Sequence, residues 1–232
     1  MNVITKLFRG TAETGGERAN SDGQRIPRRS NGFTELSRSL KTSEGLRVLD
    51  LGPTSPQNIS YFTSMGHRIY NEDVLLASLD SSLFREGEDG KKVADTDRFL
   101  AENLVYEKEY FDAVLCWDTP DYLHSDLVKP IVQRIQTIMK PKGLLLAFFH
   151  TRDAGPDAPY HRYHIADQDT IQMQQIQAPL PERDGQAKPR RNTHFRLQRV
   201  FNNRHIENLF HDYSSIKFFL GRDNIREVLV VR

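Results

Sequence analysis

The stretch RVLDLGPTSP, residues 47–56, decides the fold of this 232-residue chain. It begins with an apolar run interrupted by Asp50, which is typical of a buried strand, and the run stops at Gly52. Ser55 then occupies the position of a helix N-cap, and Pro56 that of the first helical residue. A buried strand that turns directly into a helix predicts the first unit of an α/β fold.

Strand and helix patterns alternate along the chain after this unit. Short strands are predicted at residues 67–70 and near 98–101, although the stretch around the second also has helical spacing. The stretch 111–117 is an apolar strand, and an amphipathic helix at 127–139 precedes the continuously apolar strand 144–150. This alternation indicates a mostly parallel sheet.

The C-terminal residues depart from the alternation. The strands predicted at 216–220 and 228–231 are joined by the short connection 221–224, so they must run antiparallel. A parallel sheet that finishes with an antiparallel hairpin is uncommon among α/β folds.

The chain divides into a polar N-terminal part and one domain. Residues 1–32 are poor in large apolar groups, which predicts a disordered polar tail. Residues 33–232 then form the domain, with an inserted β excursion at 151–194 that contains possible strands at 160–165 and 171–177. Because this excursion leaves the sheet after residue 150, we expect it to cover the substrate side.

Composition excludes several classes of protein. The 32 Lys and Arg residues nearly balance the 31 Asp and Glu residues, so a globally basic nucleic-acid binder is disfavoured. Cys116 is the only cysteine, which excludes an intrachain disulfide and a cysteine-rich metal site. No apolar run approaches the ~18 residues of a membrane span, and no signal peptide is recognised. We expect a cytoplasmic protein without a metal site or a membrane partner.

Several segments together resemble class I S-adenosylmethionine-dependent methyltransferases. VLDLG, residues 48–52, resembles motif I of that family, and residues 66–73 look like its second strand with the ribose-binding acid. FDAVL, residues 111–115, resembles the fourth strand, and MKPKGLLL, residues 139–146, resembles the turn into the fifth. The C-terminal hairpin matches the sixth and seventh strands.

The resemblance implies a fold, a cofactor and an activity. The fold would be a Rossmann-like, mostly parallel seven-stranded sheet of order 3-2-1-4-5-7-6, with helices on both faces and a C-terminal antiparallel hairpin. The cofactor would be S-adenosylmethionine, and the chain would transfer its methyl group to an unidentified acceptor, most simply a small molecule.

The resemblance also assigns residues to the site. Asp73, or Glu72 if the register slips by one, would accept hydrogen bonds from the ribose hydroxyls, and Asp118 and His150 are candidate bases. The full set of implied cofactor contacts is Asp50, Gly52, Pro53, Thr54, Glu72, Asp73, Asn103, Leu104 and Trp117.

Motif I itself departs from the family pattern, and this leaves alternatives open. Only Gly52 of its glycines is kept, Thr54 adds a side chain at the point of close approach, and Pro53 removes a backbone N–H. A catalytically inactive methyltransferase-like binding or scaffold protein is therefore one alternative. An RNA methyltransferase that uses the basic tail and the basic run 188–191 is another.

Overall fold

The computed structural model describes residues 24–88, 90–152, 159–176, 195–221 and 223–232. Eleven strands are described: β1 (Arg25–Arg29), β2 (Arg47–Asp50), β3 (Arg68–Asn71), β4 (Phe84–Glu86), β5 (Lys92–Ala94), β6 (Phe111–Trp117), β7 (Met139–His150), β8 (His161–Ile165), β9 (Thr170–Gln175), β10 (Ser215–Leu220) and β11 (Ile225–Val231). Seven α-helices are described: α1 (Asn31–Leu40), α2 (Pro56–Ser64), α3 (Val74–Ala77), α4 (Thr96–Glu102), α5 (Thr119–Tyr122), α6 (Ser125–Ile138) and α7 (Asn203–Leu209).

The main sheet has six strands in the order β10-β11-β7-β6-β2-β3. Strands β3, β2, β6 and β7 are parallel, and β11 pairs antiparallel with both β7 and β10. The predicted α/β class, mixed sheet and closing hairpin are therefore confirmed. The chain adds β3 on one side of β2 and β6 on the other, so the strand order reverses at β2.

Helices cover both faces of this sheet. One face packs against α1 and α2 in a core that includes Phe33, Leu36, Phe62, Val48 and Leu115. The other face packs against α4, α6 and α7 in a core that includes Phe99, Ile131, Ile206, Val114 and Phe149. As predicted, Ser55 caps α2 by accepting the backbone N–H of Asn58, and Pro56 begins that helix.

The predicted third parallel strand near residues 98–101 is wrong, so the main sheet has six strands and not seven. These residues form α4, whose N-cap Asp95 accepts the backbone N–H of Arg98 at 3.0 Å. Phe99, one turn into the helix, is fully buried in the core. The cap and the helical spacing of the buried side chains outweigh the weak strand pattern. A separate two-stranded sheet, β4-β5, precedes the helix.

The predicted boundary of disorder, residue 32, is wrong for the described residues that precede it. Residues 25–29 form β1, which pairs antiparallel with β9, and Ser30 caps α1. Arg28 is buried, with its guanidinium group beside Asp223 and Glu227 of the β10–β11 hairpin. Tertiary ion pairs and backbone pairing therefore order a segment that has little apolar surface. Residues 1–23 of the predicted tail lie outside the described residues.

The excursion contains the two predicted strands, here β8 and β9. They form a three-stranded antiparallel sheet of order β1-β9-β8, called the cover sheet below. Asn58 at the start of α2 joins β8 to the main domain, because its side chain bonds the carbonyl of Tyr163 and the N–H of Ile165. Residues 153–158 and 177–194 of the excursion lie outside the described residues.

Candidate functional site

The candidate site lies at the carboxyl ends of β2, β3 and β6. In open α/β sheets, ligands bind outside the carboxyl ends of the strands at the point where strand order reverses. Here that point is beside β2, and the loop from Gly52 to Ser55 leads from β2 into α2. The sequence analysis predicted a site in this loop, and in the structure the loop lies at the point where the strand order reverses.

Asp50 and Gly52 are held tightly within this loop region. Asp50 is fully buried; its Oδ1 accepts the indole N–H of Trp117 at 2.6 Å, and its Oδ2 accepts the side-chain amide of Asn58 at 3.2 Å. Burial raises the pKa of Asp50, and these hydrogen bonds oppose the rise. The amide of Asn71 donates to the carbonyls of Asp50 and Gly52, at 3.0 and 2.6 Å. The end of β2 is thus fixed to β3, β6 and α2.

The cover sheet packs directly on this loop. The ring of Tyr163 is stacked on Trp117, with centroids 4.9 Å apart and an angle of 10° between the rings. A Cβ atom added to Gly52 would lie 3.3 Å from Cδ1 of Trp117 and 3.8 Å from the hydroxyl of Tyr160. A side chain at residue 52 would therefore be tightly packed against Trp117, which would have to shift by a few tenths of an ångström.

The two candidate ribose-binding acids lie side by side after β3. Asp73 caps α3 by accepting the N–H of Leu76 at 3.0 Å through Oδ1, and burial raises its pKa. Glu72 accepts the hydroxyl of Tyr106 at 2.8 Å. Arg162 of β8 acts electrostatically on Asp73, so the cover sheet brings a positive charge toward this acid. Asp73 uses Oδ1 for its cap, and no hydrogen bond to its Oδ2 is found within the described residues.

The two predicted bases are brought together with a second carboxylate. Asp118, directly after β6, is fully buried, and burial raises its pKa to about 7. His150, at the end of β7, places Nδ1 2.8 Å from Oδ2 of Asp121. The charges of Asp118 and His150 also act on each other. Asp121 is not among the residues that the sequence analysis assigned to the site, and the structure makes it the partner of His150.

The remaining predicted contacts are placed less favourably for a ligand. The side-chain amide of Asn103 donates to the carbonyl of Phe99 in its own helix. The side chain of Leu104 is fully buried in the core, and the backbone carbonyl of Leu104 accepts a hydrogen bond from the side chain of Arg134. Pro53 is half-buried in the loop after Gly52. The structure does not bring Asn103 and Leu104 together with the loop as exposed side chains, so their assignment to the adenine stays a prediction.

Several buried polar groups around the loop have no partner in normal hydrogen-bond geometry among the described residues. They are Oγ1 of Thr54, which acts on the carboxylate of Asp50, and the carboxylate of Asp118 and the hydroxyl of Tyr163, which act on each other. Because their contacts fall short of normal hydrogen-bond geometry, these groups keep hydrogen-bonding capacity for a polar ligand or water. Together with Asp73 these groups supply acceptors for an ammonium group and for ribose hydroxyls. The residues present therefore fit the polar groups of S-adenosylmethionine.

Two absences apply to the part of the chain that the structure describes. No group of three or more His, Cys, Asp or Glu side chains there is arranged to hold a metal ion. None of the helices described has the length and apolar character needed to cross a membrane.

Sequence reasoning missed Asn58, Tyr160 and Tyr163 as parts of the site. Asn58 joins Asp50 to β8, and its partner Tyr163 is 105 residues away in the sequence. The sequence pattern did predict a strand at 160–165. Nothing in that pattern indicated that the strand would pack on the loop after β2.

No protein-family model matches the chain, and no curated protein matches it either. Solved structures resemble it weakly. The PH0226 protein from Pyrococcus horikoshii is 12% identical with a TM-score of 0.47, over 86% of this chain and 88% of that one. A SAM-dependent methyltransferase from Aquifex aeolicus is 12% identical with a TM-score of 0.43, over 86% and 88%.

A third similar structure holds ligands. It is the 1,6-didemethyltoxoflavin-N1-methyltransferase from Burkholderia thailandensis with bound 1,6-didemethyltoxoflavin and S-adenosylhomocysteine. It is 14% identical to this chain, with a TM-score of 0.44, over 87% of this chain and 78% of that one. At these identities and scores the likeness carries no argument about function, which is therefore argued from the residues of this chain.

Proposed function

We propose that this chain is an S-adenosylmethionine-dependent methyltransferase that acts on a small-molecule acceptor beneath the cover sheet. One observation carries the proposal: Gly52, Thr54, Asp73 and Asp118 lie at the carboxyl ends of neighbouring strands, where the strand order reverses. The polar side-chain atoms of Thr54 and Asp118 make no hydrogen bond of normal geometry within the described residues. The proposed unit is the single domain predicted from residue 33 onward, together with β1.

The proposed roles follow from the contacts of each residue. Asp73 accepts the ribose hydroxyls through the oxygen not used for its cap, and Thr54 and Asp118 bond the polar groups of the amino-acid end. Asp50 is assigned a positioning role, because both its oxygens are engaged by Trp117 and Asn58. When bound, S-adenosylmethionine supplies an electrophilic methyl group on a sulfonium.

The cover sheet is proposed to exclude water and to bound the acceptor space. Tyr160 and Tyr163 place aromatic rings over the loop, and Asn58 holds β8 against α2. Excluding water and aligning the reactants are the main contributions that a protein makes to a transfer of this kind. The cytoplasmic location predicted from the sequence stays a prediction.

A second candidate function is a methyltransferase-like binding protein without catalysis. The packing of Trp117 and Tyr160 against Gly52 favours it, because these side chains occupy the approach to the loop. The RNA methyltransferase alternative depends on the basic run 188–191 and the N-terminal tail. The run and residues 1–23 of the tail lie outside the described residues.

Titration calorimetry with S-adenosylhomocysteine separates the two candidates. S-adenosylhomocysteine is the product of methyl transfer, so a methyltransferase should bind it with a measurable heat. Asp73→Asn should weaken this binding by roughly 10- to 150-fold, which corresponds to the loss of one charged hydrogen bond. Asparagine keeps the helix cap, so α3 should remain intact. A binding protein without the cofactor would give no heat with either chain.

A further inference from the structure

His150 is fixed in one orientation by a single buried carboxylate oxygen. Oδ2 of Asp121 accepts both the backbone N–H of His150, at 2.7 Å, and its ring Nδ1, at 2.8 Å. Asp121 is itself fully buried in α5, and its carbonyl accepts the backbone N–H groups of Gln198 and Arg199. The ring therefore has little freedom to rotate.

This contact decides which nitrogen of His150 is basic. Because Nδ1 donates to Asp121, the neutral ring has its lone pair on Nε2. No hydrogen bond within the described residues engages Nε2, and the side chain is 12% exposed. A histidine held by a carboxylate through one nitrogen, with the other nitrogen free, is the arrangement of a general base.

The surroundings of His150 favour its protonated form. Burial alone would lower its pKa, but the hydrogen bond to Asp121 and the charges of Asp118, Asp121 and Asp223 raise it above the ordinary value. His161 of β8 is the nearby basic group, and its own pKa is lowered by burial to about 4, so it is neutral near pH 7.

A positive charge from a different strand acts on Asp121. Arg226 of β11 acts electrostatically on Asp121 and favours its ionised form, although burial raises the pKa of that carboxyl. The ring of His150 is thus hydrogen-bonded to an ionisable carboxylate, and the ring of Tyr122 lies beside it, with the two ring centroids 5.8 Å apart.

We propose, on the basis of the proposed function, that His150 is the general base, that Asp121 is its positioning residue, and that the acceptor is an aryl hydroxyl. Phenols have pKa values near ~10, within reach of a histidine base, whereas aliphatic alcohols are far weaker acids. The ring of Tyr122 packs beside both His150 and Tyr160, with ring centroids 5.8 and 4.9 Å apart, and aromatic neighbours of this kind suit a planar aryl acceptor at His150.

The proposed step balances. The hydroxyl oxygen of the acceptor forms a bond to the methyl carbon, and the carbon–sulfur bond breaks with its electron pair remaining on sulfur. The hydroxyl proton passes to Nε2 of His150 and then to water. No oxidant, reductant or metal is required.

The first test is a nitrogen-15 NMR titration of the full chain labelled at histidine. His150 should show the Nδ1–H tautomer and a raised pKa, and Asp121→Asn should lower that pKa and remove the tautomer preference. Asp126→Asn is the matched control, because Asp126 lies 3.5 Å from Nδ1 of His124 in an exposed pair. It should leave the signals of His150 unchanged. An Asp121→Asn chain with an unaltered His150 titration would overturn the positioning role.

The second test measures methyl transfer from S-adenosylmethionine to catechol and to 4-nitrophenol between pH 6 and 9. The wild-type rate should rise with pH to a plateau, and His150→Gln should lower kcat roughly 10²- to 10⁴-fold and abolish the rise. The side chain of His150 is partly exposed whereas that of Asp121 is fully buried, so we expect His150→Gln to fold even if Asp121→Asn does not. His150→Gln then still tests the role of the base. Binding of S-adenosylhomocysteine without transfer to either phenol would overturn the acceptor class. No binding at all would instead overturn the proposed function.

Discussion

Replacing Arg28 by Met should test how firmly the N-terminal strand is joined to the sheet. Arg28 is 6% exposed; its Nε donates to Asp223, and its Nη1 lies 2.6 Å from Oε1 of Glu227. Its guanidinium carbon also lies 4.9 Å from the ring centre of Phe148. Methionine keeps much of the apolar contact and removes the charge, so Glu227 loses its ion-pair partner while it remains 2% exposed.

The expected loss is large. Removing one partner of a buried ion pair costs about 3–5 kcal/mol. Glu227 retains hydrogen bonds from the hydroxyl of Ser30, at 2.9 Å, and from the N–H of Gly32, at 2.6 Å, so we expect the lower end, about 3 kcal/mol. For a domain of this size, that corresponds to a fall in Tm of roughly 6–12 °C.

Thermal and urea denaturation followed by circular dichroism measures this loss. The matched control is Arg29→Met on the same strand, whose side chain is 84% exposed and pairs with Asp169 at 3.3 Å. We expect the control to change the free energy of unfolding by less than about 1 kcal/mol. If Arg28→Met is no more destabilising than Arg29→Met, then the strand contributes little to stability and the reasoning is refuted.

Three further predictions concern the loop and its surroundings. The pKa of Asp118 is raised to about 7, so between about pH 4 and 7 its carboxyl is protonated in the folded state and ionised in the unfolded state. The free energy of unfolding therefore falls as pH rises through this window. Asp118→Asn should flatten that fall, with a relative gain of at most about 4 kcal/mol by pH 8 in urea denaturation; parallel pH profiles would contradict this. Gly52→Ala should cost about 1–3 kcal/mol of unfolding free energy, because its Cβ would approach Trp117 and Tyr160; an unchanged Tm would show that the packing is loose. Trp117→Phe should destabilise by roughly 1.5–3 kcal/mol, because it leaves Asp50 without the indole donor; a neutral effect on unfolding would argue against that hydrogen bond.

Local signals predicted most of the fold. The cap at Ser55, the proline after it and the apolar strands around β6 and β7 depend on neighbouring residues, and each appears in the structure. The stretch of α4 was ambiguous, because apolar residues such as Phe99 and Leu100 suit both a strand and a helix. The cap by Asp95 decided it.

The parts that could not be predicted depend on distant residues. The segment of β1, RIPRR, has no apolar alternation, and its order comes from pairing with β9 and from the ion pairs of Arg28 with residues 195 or more positions away. The partner of His150 is 29 residues away, on a four-residue helix. Sequence patterns report periodicity within an element, whereas these contacts are created by the assembly of several elements.

Titration of the full chain with S-adenosylhomocysteine tests the central claim most directly, with calorimetry and the fluorescence of Trp117, the only tryptophan, recorded together. The proposal predicts one site per chain, a change in the fluorescence of Trp117 on binding, and weaker binding by Asp73→Asn than by Glu72→Gln. The second variant is the control, because Glu72 is already engaged by Tyr106. The absence of both heat and fluorescence change in the wild-type chain would contradict the account and favour the catalytically inactive binding protein.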